Sequence, residues 1–230
     1  MITSDLEKRT AAQAAVQEVR DGMIVGLGTG STAAFAIAAL GQRCREGLAI
    51  RAVATSQRTE AAARAEGISI IDFADVAAID LCIDGVDEID PDLRAIKGAG
   101  GALLREKIVA QAARRMVAIC GGGKQVPKLG RGPLPIEVLP FAHTFVAARI
   151  ADLGGAPVLR IGENGAPYRT DQDNVVLDCG LPQAGGIGAF VMELQHVAGV
   201  LGHGYFPDEI DALYVGQVDD VMRIERSGTE

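Results

Sequence analysis

Four side chains stand out for the chemistry they could share: Asp84 and Asp87 in the run Asp84-Gly-Val-Asp-Glu-Ile-Asp90, then Lys97, then Glu106 beyond a glycine-rich turn. Carboxylates accept hydroxyl protons and an ammonium stabilises charge developing on oxygen, so the set suits the handling of a polyol or an enediolate. The acidic run by itself leaves two other readings open. So much charge also fits a solvated turn, and an oxygen-only Mg²⁺ site fits it too, although no His accompanies the acids. Glu106 is more informative. On a helix over 102–113, Lys107, Gln111 and Arg114 form the wet face, whereas Glu106 shares a stripe with Ala102, Leu103, Val109, Ala110 and Ala113. A carboxylate on an apolar stripe either has the raised pKa of a general base, or pairs with Arg105, Lys107 or a neighbouring element.

These residues need a scaffold that brings them to one crevice. Strand-like runs at 23–27, 50–54, 68–71, 81–83 and 116–119 alternate with helical patterns at 32–40, 58–66 and 102–113. Such alternation predicts a doubly wound, mostly parallel sheet with ligands beyond the strands' carboxyl ends. Ser4-Asp-Leu-Glu7 reads as a capping box opening an Ala-rich helix that runs to about Arg20. The acidic run ends one strand. The loop Gly26-Leu-Gly28-Thr29-Gly30-Ser31-Thr32 lies between another strand and a helix, where backbone N–H groups and the helix dipole attract an anion. Its glycine spacing is not the dinucleotide fingerprint, the next strand runs into Ala54-Thr55-Ser56 rather than an acid, and no Lys precedes Ser31-Thr32 as a P-loop requires. A small phosphate site using the Ser31 and Thr32 hydroxyls is the expectation.

From about 131 to 205 the texture changes. Strands at 136–138, 157–161 and 174–178, with helices at 144–153 and 189–196 between Gly- and Pro-rich turns, predict a smaller α+β unit, and two tail strands at 210–215 and 221–224 return to the first. The expected division is therefore 1–130 plus 206–230, with 131–205 inserted.

Composition narrows the functions. With 22 basic against 30 acidic residues and no Trp, the chain lacks the basic footprint and stacking aromatics of a nucleic-acid binder. No apolar run is long enough to span a membrane, and the first residues lack a signal peptide's apolar core, so a cytoplasmic protein is expected. Cys44, Cys82, Cys120 and Cys179 show no CxxC spacing and read as free thiols rather than zinc ligands or disulfides. His143, His196 and His203 are scattered outside the glycine motifs and read as surface or capping residues.

In this order and spacing, GLGTGST, ATS, DGVDEID, KGAGGALLREK and Lys124-Gln-Val resemble the type A ribose-5-phosphate isomerase family. Pro133-Leu-Pro-Ile-Glu-Val, Leu153-Gly-Gly, Asp173-Asn-Val-Val-Leu-Asp178 and Gly204-Tyr-Phe extend the likeness over the whole chain. The resemblance implies a Rossmann-like domain with a smaller ferredoxin-like α+β domain, a homodimer or homotetramer, no cofactor and no metal. It also implies interconversion of D-ribose 5-phosphate and D-ribulose 5-phosphate through a cis-enediol. Glu106 then matches the proton-shuttling base, Asp84 the acid of ring opening, Asp87 an acid that orients the sugar, and Lys97 the cation beside the enediolate oxygens. Thr29, Gly30, Ser31, Thr32, Thr55, Ser56, Gly98, Gly100 and Gly101 match substrate-binding positions, with Lys8 and Lys124 near the phosphate. One departure is plain: where the family carries Asp-x-Ser before the lysine, this chain reads Gly121-Gly122-Gly123-Lys124. The implied roles leave Glu88 and Asp90 as a solvated turn and Asp178, Asp208 and Glu209 without a role. A sugar-phosphate-sensing repressor would need a helix-turn-helix, for which the roughly 20 residues before the first strand are too few. CoA transferases and glucosamine-phosphate deaminases lack this combination of motifs.

Overall fold

A computed structural model describes residues 2–227. Helix α1 (Ile2–Ala15) buries Ala11, Ala12 and Ala15, small enough to lie close on a sheet, and leads into β1 (Ile24–Leu27). It starts at Ile2, so Ser4 stands inside the first turn rather than capping it. There follow α2 (Ser31–Arg45), β2 (Arg51–Ala54), α3 (Gln57–Ala65), β3 (Ser69–Ile70) and β4 (Leu81–Gly85), a strict strand–helix alternation up to β3. Two-residue strands β5 (Glu88–Ile89) and β6 (Ala95–Ile96) precede α4 (Leu103–Ala112) and β7 (Met116–Gly121). The second stretch runs β8 (Leu134–Val138), α5 (His143–Asp152), β9 (Ala156–Leu159), β10 (Val175–Gly180), α6 (Gly186–Leu194) and β11 (Val200–His203). The chain closes with β12 (Tyr205–Phe206), β13 (Ala212–Gly216) and β14 (Val221–Glu225).

Among the described residues the strands form three sheets. The largest has the order β14-β13-β7-β4-β1-β2-β3, parallel throughout except for β14. From β1 the chain winds outward through β2 and β3, then returns to place β4 on β1's other flank. The order thus reverses between β1 and β4, and a crevice opens beyond their carboxyl ends. Near-continuous apolar strands such as Val117–Cys120 are what a sheet covered on both faces requires. The second sheet, β11-β8-β10-β9, is antiparallel at every pairing and has a helix after its first and third strands, the ferredoxin-like arrangement. The third, β12-β6-β5, is a small antiparallel patch that ties the segment after the crevice to the end of the second sheet. No helix among the described residues is long and apolar enough to cross a membrane.

Candidate active site

The crevice is built from two strand ends and one helix. Leu27 of β1 lies opposite Ile83 of β4, which brings the first glycine loop and Asp84 side by side. Gly28 is required there, because an added Cβ would collide with the Asp84 carboxylate. Asp84 Oδ1 accepts the N–H groups of Thr29 (3.1 Å) and Gly85 (2.7 Å), while Oδ2 lies 2.8 Å from Lys97 Nζ. Lys97 follows β6 and also donates to the Gly85 carbonyl. Its third neighbour is Glu106 of α4, 3.4 Å away. Asp84, Lys97 and Glu106 are 0%, 2% and 3% exposed, so three groups that carry charge in water are stacked in the interior.

Burial dominates their electrostatics. It pushes the Glu106 carboxyl up to about 8; Lys97 opposes the rise, and the negative charges of Asp84 and Asp87 reinforce it. Asp84 is raised for the same first reason, against the pull of Lys97 and two backbone N–H groups. Burial works against the charge of Lys97, yet Asp84 and Glu106 outweigh it and hold its pKa above the usual value. The outcome is a permanent cation flanked by two carboxylates that compete to be ionised. Lys97 Nζ also sits 5.6 Å from the centre of the Phe206 ring.

Around this cluster lie the remaining positions expected from the sequence. Thr29 Oγ1 is the hub of a hydroxyl group set, 2.8 Å from Thr55 Oγ1 and from Ser56 Oγ and 3.1 Å from Thr59 Oγ1. Thr55 is fully buried and donates to the Leu27 carbonyl, and Ser56 caps α3 through the Thr59 N–H, so both hold Thr29 in place. Gly30 precedes α2 with φ of 120°, and Ser31 and Thr32 form the first turn, Ser31 exposed. Thr29, Ser56, Gly100 and Gly101 line a recess of about 210 Å³. On the other side, a cleft of about 430 Å³ is lined by Lys8, Thr32, Asp87, Lys124 and Arg131. Asp87 Oδ2 accepts the Ala99 N–H at 2.8 Å and so also fixes the second glycine loop, 98–101. In the departing segment, an added Cβ at Gly121 would come 2.7 Å from Glu7 Oε2, whereas at Gly122 or Gly123 it meets nothing within 4 Å. Gly121 thus serves packing, and the next two residues leave bare backbone beside Lys124.

Several sequence expectations are corrected. Glu88 and Asp90 are not a solvated turn: they are 7% and 5% exposed. Glu88 accepts the backbone N–H groups of Gly130 (2.7 Å), Arg131 (3.2 Å) and Gly132, folding the 130–132 turn against the cleft. Asp90 accepts from the N–H groups of Asp92 and Arg94 and from the Arg94 guanidinium. Lys107 is not on the wet face either. Its ammonium lies 4.1 Å from the Phe206 ring centre, on Glu209 and the Tyr205 carbonyl, and burial lowers its pKa. His203 is buried rather than superficial, which pushes it down to about 4 and keeps it neutral. Glu106 pairs with Lys97 of a neighbouring element, not with Arg105 or Lys107. Arg131 was missed; its only signal in the sequence is that it is a lone cation beside a glycine turn.

The comparisons with known proteins agree with one another. The family model of ribose 5-phosphate isomerase A (phosphoriboisomerase A) matches residues 51–220. A ribose-5-phosphate isomerase A of Sphingopyxis alaskensis is 49% identical over 215 residues, covering 94% of this chain and 94% of that protein. The structure of ribose 5-phosphate isomerase A from Methanocaldococcus jannaschii superposes with a TM-score of 0.90 at 35% identity, over 96% of this chain and 98% of the other. A D-ribose-5-phosphate isomerase in complex with phospho-erythronic acid superposes with a TM-score of 0.91 at 35% identity, over 95% and 97%.

Proposed function

The chain belongs to the ribose 5-phosphate isomerase A family and interconverts D-ribose 5-phosphate and D-ribulose 5-phosphate, and we propose that it does so with Glu106, Asp84 and Lys97 as its catalytic groups. The observation that carries this assignment is the buried cluster itself, two carboxylates sharing one ammonium at the end of a hydroxyl-lined crevice. A carboxylate with a pKa near 8 takes a carbon-bound proton and gives it back with little loss either way around neutral pH. Glu106 removes the C2 proton of the open-chain aldose and returns it to C1 of the cis-enediol. Asp84 opens the furanose ring and moves the hydroxyl protons between O1 and O2. Lys97, charged throughout, stabilises the negative charge that develops on those oxygens. Asp87 orients the sugar hydroxyls.

The phosphate lies in the cleft of Lys8, Thr32 and Lys124, with the first turn of α2 supplying backbone donors. The sugar end reaches past Thr29 toward Gly98, Gly100 and Gly101. The enzyme is cytoplasmic and comprises a catalytic domain of 1–130 with 206–230 and a smaller domain of 131–205. The smaller domain joins copies into a dimer or tetramer; Phe141, Phe145, Val158 and Met192 support this by exposing 55–96% of their surface. Light scattering of the purified protein tests the assembly, a monomer at micromolar concentration being the contrary result. For the activity, ribose 5-phosphate is mixed with the protein in the presence of EDTA and ketose formation is followed. Turnover that persists under chelation is expected; no turnover with or without EDTA contradicts the isomerase reading, and turnover lost only on chelation contradicts the division of roles among Lys97 and the acids.

A further inference from the structure

The glycine loop 98–101 connects the residue that carries the cation, Lys97, to the helix that carries the base, and its carbonyls are held from the other sheet. Arg160, just beyond β9, donates from Nη1 to the Gly98 carbonyl at 3.0 Å and to the Ala99 carbonyl at 3.2 Å. Tyr168 donates its hydroxyl to the Gly100 carbonyl at 3.2 Å. Arg160 is aimed by Asp178 of β10, which accepts from Nε at 2.8 Å and from Nη2, and its guanidinium lies 5.7 Å from the Tyr168 ring centre. The Arg160 side chain is 14% exposed, so the ion pair works in a partly desolvated setting. The fit is tight: a Cβ at Gly101 would overlap the Tyr168 hydroxyl. Three consecutive carbonyls are thus turned toward the smaller unit. Asp87 holds the Ala99 N–H, while among the described residues the N–H groups of Gly98 and Gly100 have no acceptor.

We propose that Arg160 and Tyr168, with Asp178 behind Arg160, are positioning residues that hold the 98–101 backbone in its substrate-binding conformation, so that the smaller unit controls affinity for the sugar. This rests on the isomerase reading above. The cluster of Asp84, Lys97 and Glu106 is held by its own contacts and keeps its geometry when the clamp is removed. A freed loop therefore populates the binding conformation only part of the time, and substrate binding restores it: KM rises by the inverse of that fraction while kcat stays. Purely structural damage does the opposite, lowering the amount of active protein and with it the apparent kcat at constant KM.

The test compares wild type with Tyr168→Phe and Arg160→Met. Steady-state kinetics with ribose 5-phosphate, the pH profile of kcat, and amide hydrogen exchange over 97–103 are measured. One neutral hydrogen bond lost predicts roughly a fivefold rise in KM for Tyr168→Phe, and two carbonyls released from a guanidinium roughly 30-fold or more for Arg160→Met, with kcat and its pH profile unchanged. Exchange at Ala99 and Gly101, whose N–H groups are bonded to Asp87 and to the Gly98 carbonyl, accelerates by similar factors, while β4 and β7 stay protected. If Arg160→Met folds poorly, Tyr168→Phe decides, since it removes a single oxygen. Unchanged KM and unchanged exchange in a folded variant overturn the proposal, as does a fall in kcat at constant KM. Exchange is read without turnover, so a failed isomerase assay in wild type would count against the assigned reaction and not against the clamp.

Discussion

Replacing Lys97 by Met keeps most of the side chain's length and removes the ammonium that Asp84 and Glu106 both face, at 2.8 and 3.4 Å. Breaking a buried pair by deleting one partner costs about 3–5 kcal/mol. For a chain of this size each kcal/mol lowers the melting temperature by about 2 °C, so a drop of roughly 6–10 °C is expected near pH 8. The sign of its pH dependence follows from the two carboxyls. Both have folded pKa values raised above their unfolded ones, and both are restrained by Lys97, so its loss raises them further. The penalty of a raised carboxyl is absent below the unfolded pKa and grows as pH rises toward the folded value. At pH 5 the orphaned acids escape by binding protons, and the drop shrinks to less than half. Losing the cation beside a developing oxyanion removes about 10²–10³ in kcat. Thermal scans at pH 5 and 8, with ketose formation assayed on the same samples, measure all of this. Equal destabilisation at the two pH values, or a kcat within tenfold of wild type, refutes the reasoning that Lys97 neutralises two buried carboxylates and stabilises the enediolate.

Glu88→Gln leaves one acceptor oxygen for three backbone N–H groups, so a loss of about 1.5–3 kcal/mol and a higher KM are expected as the 130–132 turn loosens beside the cleft; denaturant midpoints and KM unchanged from wild type would remove Glu88 from that role. Lys124→Ala should raise KM roughly fivefold or more with kcat held, the value of one charge-assisted contact to the phosphate; an unaltered KM means that Lys124 does not bind it. The pH profile of kcat/KM, which follows the free enzyme, should climb from pH 6 and level off above about pH 8, where the Glu106 carboxyl ionises, and a flat profile over that range contradicts the proposed role of Glu106 as the base.

Much of the site was legible because its signals are local. Glu106 announces itself by breaking the apolar stripe of its own helix, and the first glycine loop lies between β1 and α2, where a parallel sheet places ligands. The alternation of strands and helices also puts the first glycine loop and the acidic run at strand carboxyl ends that share a crevice, and β1 and β4 lie side by side. What escaped depends on partners remote in sequence. Glu88 looks like one more acid in a charged turn, since β5 and β6 have two residues each, too few for any periodicity, and the N–H groups it accepts come from 130–132. Helical geometry put Lys107 in water because it considers only α4; Phe206 and Glu209, which cover it, arrive about 100 residues later. Asp178 lay in a recognisable motif, but its use was invisible until Arg160 and the 98–101 carbonyls were seen together.

The proposed role of Glu106 as the group that moves the carbon-bound proton has a direct test. Isomerisation of ribose 5-phosphate in deuterated water, followed by NMR at C2 of the aldose and C1 of the ketose, reads that step alone in wild type and in Glu106→Gln. Wild type should exchange the hydrogen with solvent during turnover. The Gln variant should lose exchange and turnover together by orders of magnitude while still binding substrate, because an amide cannot accept the proton. Exchange continuing at the wild-type rate in that variant would contradict the central claim.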